Sequence, residues 1–154
     1  MDIRIRTSNM PKLVAIAYKT VKRGPMNEVL CANVTQHSGV EKDVFGRPGK
    51  RQVTVLSLQQ WQKACQSIDA NLPWTTRRAN LLVDGCSFGA ADVGKQLRIG
   101  DLCLEVTGET DPCKKMEQAH AGLESALTPD WRGGVTCRVI NDAMIHIGDA
   151  VTLD

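Results

Sequence analysis

Residues 107–119 read TGETDPCKKMEQA, which sets a cysteine directly after Asp-Pro and directly before two lysines. With Asp111 as N-cap and Pro112 at the first helical position, both favoured there, Cys113 becomes the second residue of a helix. A thiolate at that point meets unpaired backbone N–H groups and the positive end of the dipole. Lys114 and Lys115 add local charge. Such surroundings lower a thiol pKa and suit a soft metal ligand or a persulfide carrier. A hydrolytic nucleophile is less well served, because it needs a base. His37, His120 and His146 are the only histidines, none lies in a motif, and His120 is two turns down the same helix face. The competing reading is that Cys113 packs inward with Met116, His120, Leu123 and Leu127.

Five further cysteines stand at 31, 65, 86, 103 and 137. No C-x-x-C or paired His-Cys spacing marks a zinc site, and the cysteine content is too low for a disulfide scaffold. Cys31, Cys65, Cys86, Cys103 and Cys137 are therefore expected to be small buried hydrophobes. Two basic clusters complete the chemical inventory. GRPGKRQ (46–52) carries Lys50 and Arg51, and TTRRANLL (75–82) carries Arg77, Arg78 and Asn80. If the adjoining strands are neighbours, these arginines form one rim able to grip a phosphate bidentately, and the Asn80 amide can read a heterocycle edge. Solvated charges at strand ends are the plainer alternative. RGGV (132–135) is Gly-rich but lacks the spacing and the Lys-Ser/Thr of a phosphate loop.

The elements that must hold these residues are mostly strands. KLVAIAYK (12–19), NEVLCANVT (27–35), RQVTVLS (51–57), RANLLVDG (78–85), LCLEVTG (102–108) and GVTCRVI (134–140) alternate or run apolar. Ile-Gly-Asp occurs before two strands, at 99–101 and 147–149, and reads as hairpin turn chemistry. Two stretches switch to helical spacing. In 57–69, Leu58, Trp61, Cys65 and Ile68 share a face, and Ser57 with Gln60 makes a capping-box pattern. The second helix is 111–127.

At 154 residues the chain fits one domain, 1–154, with no linker dividing it. Nineteen Lys+Arg against seventeen Asp+Glu is too balanced for a nucleic-acid or membrane-surface protein, and 4% aromatics leaves few stacking platforms. MDIRIRTSNM lacks the apolar run of a secretory leader, and the longest apolar run elsewhere is far too short to span a bilayer. A cytoplasmic protein is expected, with neither nucleic acid nor membrane as partner.

In chain order, GPMNEV, GVEKDVFGRPGKRQVTVLS, RRANLLVDG, VGKQLRIGDLCLEVTGETDPCKKM and RGGVTCRVINDAMIHIGDAV resemble the MOSC domain, found at the carboxyl end of molybdenum cofactor sulfurases and alone in bacteria. The resemblance spans about residues 12–153. It implies a β-rich α+β fold, barrel-like with two or more short helices, and binding of molybdenum cofactor (molybdopterin). The family's characteristic cysteine matches Cys113, which in amidoxime-reducing relatives ligates the metal. The Arg-rich segment approaches the cofactor, here Arg77, Arg78 and Asn80. The implied activities are reduction of N-hydroxylated small molecules with a separate redox partner, persulfide carriage on Cys113 supplied by a desulfurase, or non-catalytic cofactor binding. No pyridoxal phosphate, flavin or nicotinamide site is evident. Two departures stand out. GVEKDV puts Lys42 and Val44 where relatives favour glycine and a basic residue, and the amino-terminal β domain of longer members is not part of the sequence, so whatever part of the site that domain supplies is expected to be missing or to come from a partner.

Overall fold

The computed structural model describes residues 10–154; the reading of the amino terminus as lacking a leader falls, apart from Met10, outside them. The described strands are β1 (Lys12–Tyr18), β2 (Asn27–Val29), β3 (Cys31–Thr35), β4 (Gly39–Val40), β5 (Val53–Ser57), β6 (Leu81–Asp84), β7 (Gln96–Ile99), β8 (Leu102–Glu109), β9 (Val135–Val139), β10 (Ala143–His146) and β11 (Val151–Leu153). The α-helices are α1 (Leu58–Ser67), α2 (Lys114–Ala119) and α3 (Leu123–Leu127), with short 3-10 turns at Trp74–Arg77, Ala90–Asp92 and Pro129–Trp131.

Eight strands form one sheet in the order β11-β7-β8-β9-β5-β6-β1-β2, and β10-β3-β4 form a second. Among the described strands only β5 and β6 run parallel, so they need a crossover, and α1 supplies it. The large sheet curls back on itself. Lys12 pairs with Asp84 on one side and bridges to Ala150 on the other. The Leu13 amide donates to the Asp149 carbonyl at 2.9 Å, and the Val151 amide donates to the Pro11 carbonyl at 3.0 Å. Closure of this kind removes sheet edges that would otherwise recruit other chains.

The alternation of each strand sorts its side chains between two cores. Val53 and Val55 of β5 and Leu81 and Val83 of β6 point into the barrel. Leu56 and Leu82 face the other way, beneath Trp61 and Ala64 of α1, Met116 of α2 and Leu123 of α3. That double burial is why Leu-Leu-Val in β6 is a continuous apolar run rather than an alternating one. No helix among the described residues is long and apolar enough to cross a membrane.

The expected β-rich fold is present, with four corrections of detail. The stretch 27–35 is broken at Leu30 into β2 and β3, which lie in different sheets. Arg-Arg-Ala-Asn precedes β6 instead of beginning it: Arg77 ends a 3-10 turn and Arg78 is left-handed at φ 64°. The first Ile-Gly-Asp closes the β7–β8 hairpin, but the second carries the chain from β10 in one sheet to β11 in the other. Lastly, 111–127 is two helices. Cys113, not Asp111, is the residue before the first helical turn, with φ −140° and ψ 178°. The chain leaves helix at His120 and turns through Gly122 at φ 86° before α3. Glu117 holds this break, accepting from the Gly122 and Glu124 amides at 2.7 and 3.2 Å.

The expected start of α1 is present in part. Ser57 Oγ accepts from the Gln60 amide at 3.3 Å, but the Gln60 side chain reaches across to the backbone of Phe88 and Asp130 instead of back to Ser57. Ser57→Ala is therefore expected to cost about 1 kcal/mol, the usual worth of one cap. Urea denaturation monitored by tryptophan fluorescence measures it.

Candidate functional site

Where the chain leaves β1 and β8 and enters β5 and α2, it encloses a cavity of about 700 Å³. Seven cations line it (Lys19, Lys22, Arg23, Arg51, Arg77, Arg78 and Lys115) against one carboxylate, Asp111. Such an excess, in a concave site with a low-dielectric wall, favours an anionic ligand. Cys113 is on this lining and is exposed. Its placement before α2 leaves it a weaker dipole contribution than the expected 17-residue helix would give, because α2 has only six residues. Of the other cysteines, 65, 103 and 137 are buried as expected, Cys86 is half-buried, and Cys31 is exposed, contrary to expectation. Burial pushes the Cys65, Cys86 and Cys137 thiols up, away from thiolate character.

Arg77 is the structural centre of the site. It is 7% exposed, and its guanidinium donates through Nε to the Gly133 carbonyl at 3.0 Å and through Nη2 to the Thr110 carbonyl at 2.8 Å. A longer contact from Nη2 reaches the Asp111 carbonyl at 3.4 Å. Burial pushes this guanidinium below its ordinary value and Arg51 pushes the same way, while Cys113, Asp111 and Glu109 oppose them. The group remains charged regardless. RGGV finds its purpose here. A Cβ on Gly133 would lie 2.6 Å from the Thr110 carbonyl oxygen and 3.1 Å from Arg77 Nη2, so only glycine lets the guanidinium reach across.

The remaining expected residues divide. Arg78 lines the cavity and is tied to the Gly24 carbonyl by a short hydrogen bond. Arg51 lines it too. Lys50 lies outside it, in an adjoining depression. Asn80 is 6% exposed and absent from the lining. Its Oδ1 accepts from the Thr54 amide at 3.0 Å, and its Nδ2 donates to the Ala17 carbonyl at 3.2 Å. The Asn80 amide thus stitches β1 to β5 beside β6, and it is taken out of the candidate binding set.

Sequence reading missed Lys19, Lys22 and Arg23, which follow β1 in KTVKRG; the density of cations before Gly-Pro was the available signal. Lys19 is the best fixed of them. Its ammonium stands 4.9 Å from the centroid of Phe45. Its amide donates to Asp43 Oδ1 at 3.0 Å, and Asp43 Oδ2 accepts from the Phe45 amide at 3.2 Å. Burial lowers its pKa, with Arg78 and Lys115 acting in the same direction and Asp43 against them. The altered GVEKDV loop therefore still serves the site. Lys42 takes a left-handed backbone, φ 73°, where glycine is easier, and Asp43 keeps Lys19 and Phe45 in place.

One polar atom here lacks a partner. Thr110 Oγ1 is buried with no hydrogen bond among the described residues, and Thr110 lines the cavity beside Asp111 and Cys113. An orphaned hydroxyl at the wall of a cationic pocket fits a site that accepts a polar ligand.

The fold has known counterparts. The YUAD protein from Bacillus subtilis matches with a TM-score of 0.76 and 16% identity, over 94% of this chain and 96% of that one. YiiM from Geobacillus stearothermophilus matches with a TM-score of 0.72 and 16% identity, over 94% of this chain and 75% of that one. For YiiM from Escherichia coli the TM-score is 0.70 and the identity 15%, over 93% and 69% of the two chains. At these identities the likeness establishes the fold alone. No curated protein matches the chain in sequence. The family model for the MOSC domain matches residues 32–152, most of the sequence, and the chain belongs to the MOSC domain family.

Proposed function

We propose that the chain binds molybdenum cofactor in the cationic cavity, with Cys113 as the protein ligand to the metal, and reduces N-hydroxylated compounds with electrons from a separate redox partner. The observation that carries this reading is the coincidence of an exposed cysteine and a wall of seven cations in one cavity. Family membership adds weight, since the MOSC domain is associated with this cofactor.

The residues present fit the group. A thiolate is a soft donor suited to molybdenum, and Arg51, Arg78 and Lys115 supply charge for the pterin phosphate. When bound, the metal supplies the two-electron chemistry. The chain supplies the rest. Arg77 acts as a positioning residue: by holding the carbonyls of Thr110 and Asp111 it fixes the two residues just ahead of Pro112 and Cys113. Lys19 is held where it can balance charge on a bound substrate.

The test is anaerobic incubation with free cofactor, desalting, and measurement of retained molybdenum and pterin. The native chain is expected to retain both and Cys113→Ala to lose at least tenfold of the metal, the scale of losing one ligand. Equal retention by the two removes Cys113 as ligand. Exposure of Cys113 also favours a second reading, persulfide carriage. Under that reading the native chain retains no metal and gains the mass of one sulfur on Cys113 when given a desulfurase and cysteine.

A further inference from the structure

Cys31 is exposed where a packing role was expected, and the register of the second sheet shows what stands beside it. Cys31 on β3 lies directly opposite His146 on β10, and both are exposed. The Ile147 amide donates to the Leu30 carbonyl at 3.0 Å. Leu30 and Ile147 are therefore a hydrogen-bonded rung, and Cys31 with His146 the non-hydrogen-bonded rung next to it. Side chains on that kind of rung approach most closely, with Cα atoms about 4.5 Å apart. The thiol and the imidazole come from opposite ends of the chain, so no ligand spacing in the sequence marks them.

The imidazole is also oriented. Its Nδ1 stands 3.9 Å from Asp149 Oδ2, and the same oxygen accepts from the His146 amide at 2.8 Å. A carboxylate at one ring nitrogen leaves the other, Nε2, as a metal donor, an arrangement that commonly supports histidine ligands. Thiolate and imidazole together favour zinc, which takes four such donors in a tetrahedron. One chain supplies only this pair. Among the described residues no group of three His, Cys, Asp or Glu side chains is placed to hold an ion.

The surrounding face suits a second copy. β3 and β10 contain no lysine, arginine or carboxylate, so two copies can meet here without like-charge repulsion. Met144, two residues before His146 on the same face, is an exposed apolar group, and so are Leu30 (80% exposed) and Ile147 on the next rung. β10 is moreover an edge of its sheet. A two-fold axis beside the pair doubles each feature, giving two thiolates and two imidazoles within an apolar rim.

We propose that Cys31 and His146 are half of a zinc site, completed by the same two residues of a second copy, so that one zinc ion joins two chains. Each Cys31 thiol gives up its proton to solvent as its sulfur–zinc bond forms, and no electron is transferred. Neither residue lines the cavity of Cys113, so the inference stands apart from the cofactor reading.

The test is a titration with zinc chloride of the native chain, stripped with EDTA and kept reduced with a phosphine, its mass followed by sedimentation and light scattering. The chain is expected to be monomeric without zinc and to double in mass, saturating at one zinc per two chains. Cys31→Ala and His146→Ala, both at exposed positions, are expected to stay monomeric at every zinc level. Cys113→Ala is expected to dimerise like the native chain. A mass that does not double overturns the inference. So does a doubling that persists in EDTA, that survives Cys31→Ala or His146→Ala, or that is lost in Cys113→Ala.

Discussion

Arg77→Met is expected to destabilise the chain by about 3 kcal/mol, the loss of two charge-assisted hydrogen bonds to carbonyls in a buried setting. For a chain of this size that is a fall of roughly 6–12 °C in Tm. Methionine fills much of the arginine stem's volume, so the loss reports the guanidinium and not a cavity. Arg77→Lys should recover less than half, because one ammonium cannot reproduce a fork that spans the Gly133 and Thr110 carbonyls. The same variants should retain less molybdenum, since the fork fixes the carbonyls just ahead of Cys113. Guanidinium denaturation gives the first readout and metal analysis the second. A stability change below about 0.5 kcal/mol would mean that water satisfies those carbonyls and that Arg77 serves the cavity only as a charge.

The second large effect is expected at Gly46. A Cβ there would lie 1.7 Å from the Ser38 carbonyl oxygen and 2.7 Å from its carbon, and both are backbone atoms. No rotamer change relieves such a contact. Gly46→Ala must displace the loop and break the Gln52 bond to the Gly46 carbonyl, which unsettles Phe45 and Arg47 on either side. The cost is expected to exceed about 4 kcal/mol, in the range reserved for changes the fold cannot absorb. Gly89→Ala is the control, as nothing lies within 4 Å of its added methyl and its backbone is extended. Pulse proteolysis reads both even where purified yields fall. Comparable stability of the two variants would show that the 46–51 loop is free to move.

Much of the architecture is legible in the sequence because burial writes itself into period. Strands such as Gln96–Ile99 and Leu102–Glu109 carry the alternation that sends Leu97, Ile99, Leu102 and Leu104 to one core. The misread elements share a cause: a pattern that stays in phase across a change of backbone. Met116, Leu123 and Leu127 remain on one buried face although helix stops at His120, and only Gly122 hinted at the stop. Arg-Arg-Ala-Asn abuts an apolar run, so a left-handed Arg78 and a turn ahead of it left no trace in composition. At the site, Cys113 could be singled out by its neighbours in the chain. Lys19, Lys22 and Arg23 show only as a cluster of cations before Gly-Pro, and their relation to Cys113 exists only after β1 is laid beside β6. Asn80 shows the converse. Its chemistry suited a ligand, but its three polar contacts belong to Thr54 and Ala17.

The meeting of β1 with β11 has a consequence for the order of assembly. Lys12 finds Asp84 and Ala150 as partners on its two sides, and nearly the whole described chain separates it from the second. Contacts so distant in sequence form late, since loop closure must be offset before they contribute. The strands that carry the cavity wall, β1, β5 and β6, pair with one another within residues 12–84 and need nothing from β11. During synthesis, that wall of the cavity is therefore free to take shape while the barrel is still open along the side that β11 will seal. A chain cut short before residue 150 should keep this inner register but leave β7 without its β11 partner and Lys12 without its bridge to Ala150, exchanging a closed surface for one that invites association with its own copies.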